Sequence, residues 1–187
     1  LCMITHKAVK FATTYRDFAA TLNKRVSDYF LLGKISRHAN SEMVIKTIVM
    51  FGLYLIPYVL VTTSTVTNPF GLIGLALIMG FGMAGIGLSV MHDANHGAYS
   101  DRKWINTTIG YSLNFVGANV FNWKLQHNVL HHSFTNIDEE DEDIESRGVL
   151  RLSPNAKWKG LYRYQFIYAW FLYGLLTIAW MFTKDFI

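Results

Sequence analysis

From Thr47 to Met91 the chain contains no Asp, Glu, Lys, Arg or His. No other feature restricts its fold as strongly, because roughly 20 apolar residues already carry a helix across the hydrocarbon core of a bilayer. The polar stretch Thr63-Ser64-Thr65-Val66-Thr67-Asn68-Pro69 divides the run into two expected spans, 44–62 and 70–91. Two adjacent helices apolar on every face need lipid or a very large core, which favours spans over buried helices of a soluble protein. A third span is expected over 161–182, through FIYAWFLYGLLTIAWMF; Arg163 near its start can snorkel, and its Trp and Tyr residues suit an interfacial belt. Charged residues make up only 16% of the chain, against about 25% in an ordinary soluble domain.

Charge placement predicts orientation. Residues 1–46 carry eight Lys/Arg against three acids. The positive-inside rule then puts the N-terminus in the cytoplasm, the 63–69 turn outside, and residues 92–160 back on the cytoplasmic side. A basic segment beside a membrane needs no nucleic-acid partner to explain it. Cys2 is the single cysteine, which excludes an intramolecular disulfide. The 187 residues read as one domain: a cytosolic N-terminal region over 1–43, the two spans, a cytosolic region over 92–160 and the span over 161–182. No signal peptide is apparent. The first residue is Leu and the last follows a span, so the chain is expected to be a fragment.

Within the N-terminal region, Phe11, Tyr15, Phe18, Leu22, Val26, Tyr29 and Phe30 recur at helical steps. They predict an amphipathic helix over 11–32, stopped at Gly33 and packing on the membrane surface or on the cytosolic part. Ala76, Gly80 and Ala84 share one face of the second span and predict a close helix approach there. Pro57 is a candidate kink in the first span. Residues 104–121 are apolar but broken by Asn106, Asn114, Asn119, Gly110 and Gly117, which predicts an interfacial or shallow re-entrant helix.

Five of the seven histidines fall in two clusters, HDANH at 92–96 and HNVLHH at 127–132. His92 and His96 project from one helix face if the second span continues past Met91. His127 and His131 repeat the pair, and His132 adds a ring about 100° round the axis. Neutral imidazole is the commonest side-chain ligand for iron, copper, nickel and zinc. Five such ligands exceed the four of a structural zinc site and are too few for two iron centres. Either one metal is bound, or more ligands lie beyond Ile187. Asp93 could fix an imidazole tautomer, and Asn128 also adjoins a cluster histidine. The acidic stretch DEEDEDIE over 138–145 reads as a solvated loop. His6 and His38 match no cluster and are given no role. Arg102, Lys103 and Lys124 are candidate contacts for the phosphates of a CoA headgroup at the membrane surface.

HDANH resembles the first histidine box, HX(3–4)H, of the membrane fatty acid desaturases, and HNVLHH resembles their second, HX(2–3)HH. The flanking text is also similar, with HDANHGAYS ending a span and WKLQHNVLHHSFTNI preceding an acidic stretch. The nearest flavour is the bacterial front-end or linoleoyl-CoA type. The resemblance implies an all-α integral membrane protein with four transmembrane helices, three of them within this chain, under a helical cytosolic cap. It implies a di-iron site with His92, His96, His127, His131 and His132 as metal ligands. It implies a fatty acyl substrate in the bilayer, O2, and a separate electron donor of ferredoxin or cytochrome b5 type, since no HPGG-type motif is present. The third box, (H/Q)XXHH, is absent from this sequence, so the remaining ligands are expected beyond Ile187.

A hydroxylase on the same scaffold is the nearest alternative, because both reactions begin at an unactivated C–H bond. A metalloprotease of HExxH type fits worse: HDANH has Asp where that motif has Glu, and HNVLHH has no place in it. A haem-binding electron-transfer protein predicts histidines inside the spans rather than just outside them. An inert relic of a desaturase gene is the remaining reading.

Overall fold

A computed structural model describes Val9, residues 16–138, Glu140, Asp141, Asp143, Ile144 and residues 148–182. Cys2, His6, Phe11, Tyr15 and the acidic residues Glu139, Glu142 and Glu145 lie outside the described residues. Every regular element among the described residues is helical, as the all-α expectation requires.

The chain divides into two units, Leu1–Arg37 and His38–Ile187. In the first, α1 (Arg16–Leu32) covers the described part of the helix expected over 11–32, and none of its residues is buried. Its end differs in detail from the expected stop at Gly33. The Ile35 N–H reaches back to the Phe30 carbonyl at 3.0 Å, and the left-handed residue is Lys34, at φ 50°, not the glycine.

In the second unit, α2 (Ser41–Thr62) begins where Asn40 accepts a hydrogen bond from the Met43 N–H at 2.9 Å. Helix α3 runs from Pro69 to Asn95, with Asn68 capping the Gly71 N–H at 2.7 Å and Pro69 fixed in the first turn. Both exceed the predicted 44–62 and 70–91. At about 1.5 Å per residue, the 22 residues of α2 and the 27 of α3 are both long enough for a hydrocarbon core of about 30 Å. Only 6% and 11% of their most apolar windows are buried. Helices this apolar and this exposed belong in lipid rather than inside a soluble core.

Their packing corrects one expectation. The Ala76, Gly80 and Ala84 face is exposed, and nothing lies within 4 Å of the Gly80 Cβ position. The close approach is at Gly82, where a Cβ would meet the Tyr54 N at 2.6 Å and the Met50 carbonyl oxygen at 2.9 Å. Backbone meets backbone there, so only glycine fits. Pro57 lies inside α2 and is its one buried residue.

Residues 104–121 do not form one helix. They break into α4 (Lys103–Gly110), α5 (Ser112–Phe115) and the start of α6 (Val120–Trp123), with Gly117 turning at φ 91°. This segment folds back on the spans: the Tyr54 hydroxyl donates to the Phe115 carbonyl at 2.9 Å. Leu113, Val116, Ala118 and Val120 join Ile86, Met91 and Trp123 in the buried core.

The stretch 161–182 also departs from a single helix. A 3-10 turn over Gly160–Tyr164 leads into α7 (Gln165–Gly174), and α8 (Leu176–Phe182) follows. At the break the Leu175 N–H bonds three residues back, to the Leu172 carbonyl at 3.1 Å, which tightens the turn after Gly174. Among the described residues, two helices rather than three are long and apolar enough to cross a membrane.

Candidate metal centre

Helix α3 carries the first histidine pair beyond its apolar part. Residues 86–90 are wound as a π-turn, and the Met91 N–H bonds five residues back to the Ile86 carbonyl. Normal winding then resumes, the His96 N–H bonds the His92 carbonyl at 3.1 Å, and the two rings lie 4.6 Å apart on one face.

The second cluster follows α6, which Asn119 caps by accepting from the Phe121 N–H at 2.8 Å. From Lys124 to His131 the chain is again π-wound, and Ser133 and Phe134 continue the helix after His132. This revises the sequence expectation. In an α-helix residue i+5 lies about 140° away from residue i, so His127 and His132 would diverge. In the π-turn the His132 N–H bonds the His127 carbonyl, and the wider winding brings residue i+5 back towards the face of residue i. Their rings come to 4.9 Å, and His131 stays 5.2 Å from His127.

The two segments face one another. The Nε2 atoms of His92 and His127 are 3.1 Å apart, and those of His96 and His132 are 3.3 Å apart. Two nitrogen lone pairs at such a distance repel unless a shared proton or a cation lies between them. His92, His96 and His127 can offer ligand atoms that all lie within 4.8 Å of one another, and so can His127, His131 and Asp143. His127 belongs to both groups. The donor set, nitrogen with a minority of carboxylate oxygen, suits iron or another late first-row metal better than magnesium or calcium. The residues present therefore fit the metal that the resemblance implies.

Burial among the apolar core residues, and then the neighbouring His92 and His132, lower the His127 pKa to about 4. His96 is lowered in the same direction, first by burial and then by His92 and His132. Both imidazoles are thus neutral near pH 7, the form that can bind a metal.

The acidic stretch 138–145 is not simply a solvated loop. Asp141 is fully buried, and its Oδ1 lies 3.0 Å from the His131 Nδ1. Burial alone would raise its pKa, but hydrogen bonds from His131 and from the Asn136 and Asp143 N–H groups outweigh it and hold the carboxyl below its usual range. Asp143 approaches the His131 Nδ1 at 3.3 Å.

Asp93, the expected tautomer-fixing residue, has its Oδ1 3.4 Å from the His92 Nδ1. Asn128 donates to the Asn95 carbonyl at 3.0 Å, tying the two histidine segments together rather than orienting a ring. Arg102 and Lys103 are exposed where α4 begins, and Lys124 is half-buried at the first π-wound position. His38 lies outside the cluster, with its Nδ1 3.3 Å from the Ala98 carbonyl oxygen.

Trp123 was not signalled by spacing. Its ring stacks on His127 at 4.4 Å and meets the His92 and His96 rings edge-on at 5.8 and 5.9 Å. It forms the apolar wall of the cluster. Trp123→Ala is expected to cost about 3 kcal/mol of stability and to lower retained metal, whereas Trp123→Phe should keep most of both. Thermal unfolding and metal analysis of the two purified variants check this.

A family model described as fatty acid desaturase matches residues 67–187. The chain is 35% identical over 178 residues to an sn-1 linoleoyl-lipid 6-desaturase of Synechocystis sp., covering 95% of this chain and 49% of that protein. It is 32% identical over 163 residues to the enzyme of the same name from Arthrospira platensis, covering 87% of this chain and 44% of the relative. An acyl-lipid (8-3)-desaturase of Physcomitrium patens is 36% identical over 176 residues, with 91% and 36% covered. The chain thus spans half or less of the length of these relatives. No solved structure matches it.

Proposed function

The chain belongs to the fatty acid desaturase family, and from that premise we propose that the whole protein introduces a double bond into a fatty acyl chain held in the bilayer. The convergence of five imidazoles from two segments, with His127 common to both ligand groups, carries this reading. His92, His96, His127, His131 and His132 would be ligands of two iron ions, whose remaining ligands would come from the rest of the whole protein. An unactivated methylene has no acidic proton and no leaving group, so acid–base side chains cannot dehydrogenate it. Iron held there would supply the needed oxidising power, with O2 as oxidant and two electrons from a separate ferredoxin or cytochrome b5 type donor.

The chain's own residues do the placing. Helices α2 and α3 lie in the membrane, with the 161–182 stretch as a third span, and the histidines sit at its cytoplasmic surface together with the N-terminus. An acyl chain can then enter from the lipid side, along apolar helices, to a site at the end of α3. Trp123 keeps one side of the cluster apolar and limits water there. Relatives that act on acyl-lipids favour a glycerolipid carrier.

Arg102, Lys103 and Lys124 would meet the phosphates of the substrate headgroup at the surface. Arg102→Glu with Lys103→Glu should raise KM for the acyl substrate several-fold and leave kcat near its starting value; an unchanged KM removes these residues from substrate binding.

The reaction itself is tested by expressing the whole protein in a host that lacks the product and analysing total fatty acids. A new double bond that disappears with His127→Ala supports the proposal. Hydroxylated acyl chains in place of unsaturated ones would assign the scaffold to a hydroxylase.

A further inference from the structure

Around the histidine cluster the two ring nitrogens face different partners. The Nε2 atoms of His92, His127, His96 and His132 face one another across the centre. The Nδ1 atoms of three rings face carboxylates: His92 towards Asp93 at 3.4 Å, His127 towards Asp143 at 3.8 Å, and His131 towards both Asp141 at 3.0 Å and Asp143 at 3.3 Å. A ring that donates from Nδ1 must leave its Nε2 lone pair free, and a metal-binding histidine depends on that choice of tautomer.

Of these carboxylates, Asp141 is the most completely built into the fold. Asn136 turns the chain at φ 62°, a conformation asparagine tolerates. The acidic stretch is thereby folded back on the second histidine cluster, and the Asp141 N–H bonds the Ile137 carbonyl at 3.0 Å. The side chain is fully buried, which is costly for a carboxylate unless every oxygen is engaged. Its Oδ2 accepts from the Asn136 N–H at 2.7 Å, and its Oδ1 accepts from the Asp143 N–H at 3.0 Å. Those bonds hold the carboxylate still, and the remaining capacity of Oδ1 is directed at the His131 ring.

We propose that Asp141 is a positioning residue of the metal centre, holding His131 as the Nδ1–H tautomer so that its Nε2 is free for the metal, with Asp143 as a weaker second acceptor. This rests on the metal reading above but assigns a role to residues outside both histidine motifs. The acidic stretch is then part of the centre rather than a solvated connection.

The test uses the whole protein in detergent micelles and measures its affinity for ferrous iron by competition with a chromophoric chelator under anaerobic conditions. Asp141→Asn keeps the shape of the side chain but puts an NH2 group where one of three donors must be accepted. It should weaken iron binding about 10–100-fold. In a His131→Ala background the same change should have no further effect, because the residue it acts through is gone. An unchanged affinity, or an equal loss in both backgrounds, overturns the assignment and leaves the metal reading standing. If Asp141→Asn does not yield folded protein, Asp143→Asn serves at an exposed carboxylate. A several-fold loss there that disappears in the His131→Ala background supports the assignment; no loss, or an equal loss in both backgrounds, overturns it, the latter because Asp143 would then be acting as a ligand itself. Wild-type protein that takes up no iron overturns both readings.

Discussion

His127→Ala is expected to strip the centre of metal more completely than the loss of any of the other four clustered histidines. His127 is the one residue common to the two groups of potential ligands. Its removal leaves two donors in each group, His92 with His96 and His131 with Asp143, and only His132 beside His96 to add to them. Its ring also lies between Trp123 at 4.4 Å and His92, His96, His131 and His132 at 4.9–5.3 Å, so no neighbour can swing across to replace it without displacing another. Iron affinity should fall by at least about 100-fold, the upper end of what losing a mere supporting residue costs. Metal content of the purified protein is the direct measurement. If His127→Ala retains iron while His92→Ala or His131→Ala loses it, His127 does not link the two groups.

The second large effect is expected far from the histidines. Gly82→Leu places a side chain where even a Cβ meets the α2 backbone at 2.6 Å, and backbone cannot rotate aside as a side chain can. Helices α2 and α3 must then separate, at a cost of about 3 kcal/mol or more. Since His92 and His96 ride on the end of α3, metal retention should fall with it. Gly80→Leu is the matched control: nothing lies within 4 Å of its Cβ position, and a surface change of that kind stays within about 0.5 kcal/mol. Thermal unfolding of the two variants in the same detergent separates them. Equal tolerance of both would mean that the helices do not meet at Gly82.

The contrast between these glycines shows where sequence reading stopped. Small residues three or four apart mark a possible contact face, and Ala76, Gly80 and Ala84 are such a set. Gly82 and Gly85 are another, three apart, and spacing alone does not choose between them. The choice depends on where Met50 and Tyr54 of α2 arrive. The stretch over 161–182 reads as one span for a similar reason. Its apolar content is continuous, but the turn at Gly174 and Leu175 is a matter of a few hydrogen bonds that hydropathy does not register.

The histidines divide in the same way. The pairs His92/His96 and His127/His131 were legible, because an i, i+4 spacing meets on a helix of either winding. The convergence of His132 with His127 was not, since only the π-turn over Lys124–His131 brings residue i+5 round. Trp123 and Asp141 lie outside both motifs, and their place beside the rings became visible only with the folded chain.

What the sequence determined by itself is what local periodicity and composition can carry: two long apolar helices, and histidines grouped where the second of them ends. Those properties follow from each residue and its neighbours within a turn or two. The tertiary structure alone decided which glycine touches which helix, which carboxylate stands behind which ring, and that His92 meets His127 across 35 intervening steps of chain. Such contacts depend on how separate segments pack, and pack closely enough for a single Cβ or a single tautomer to matter.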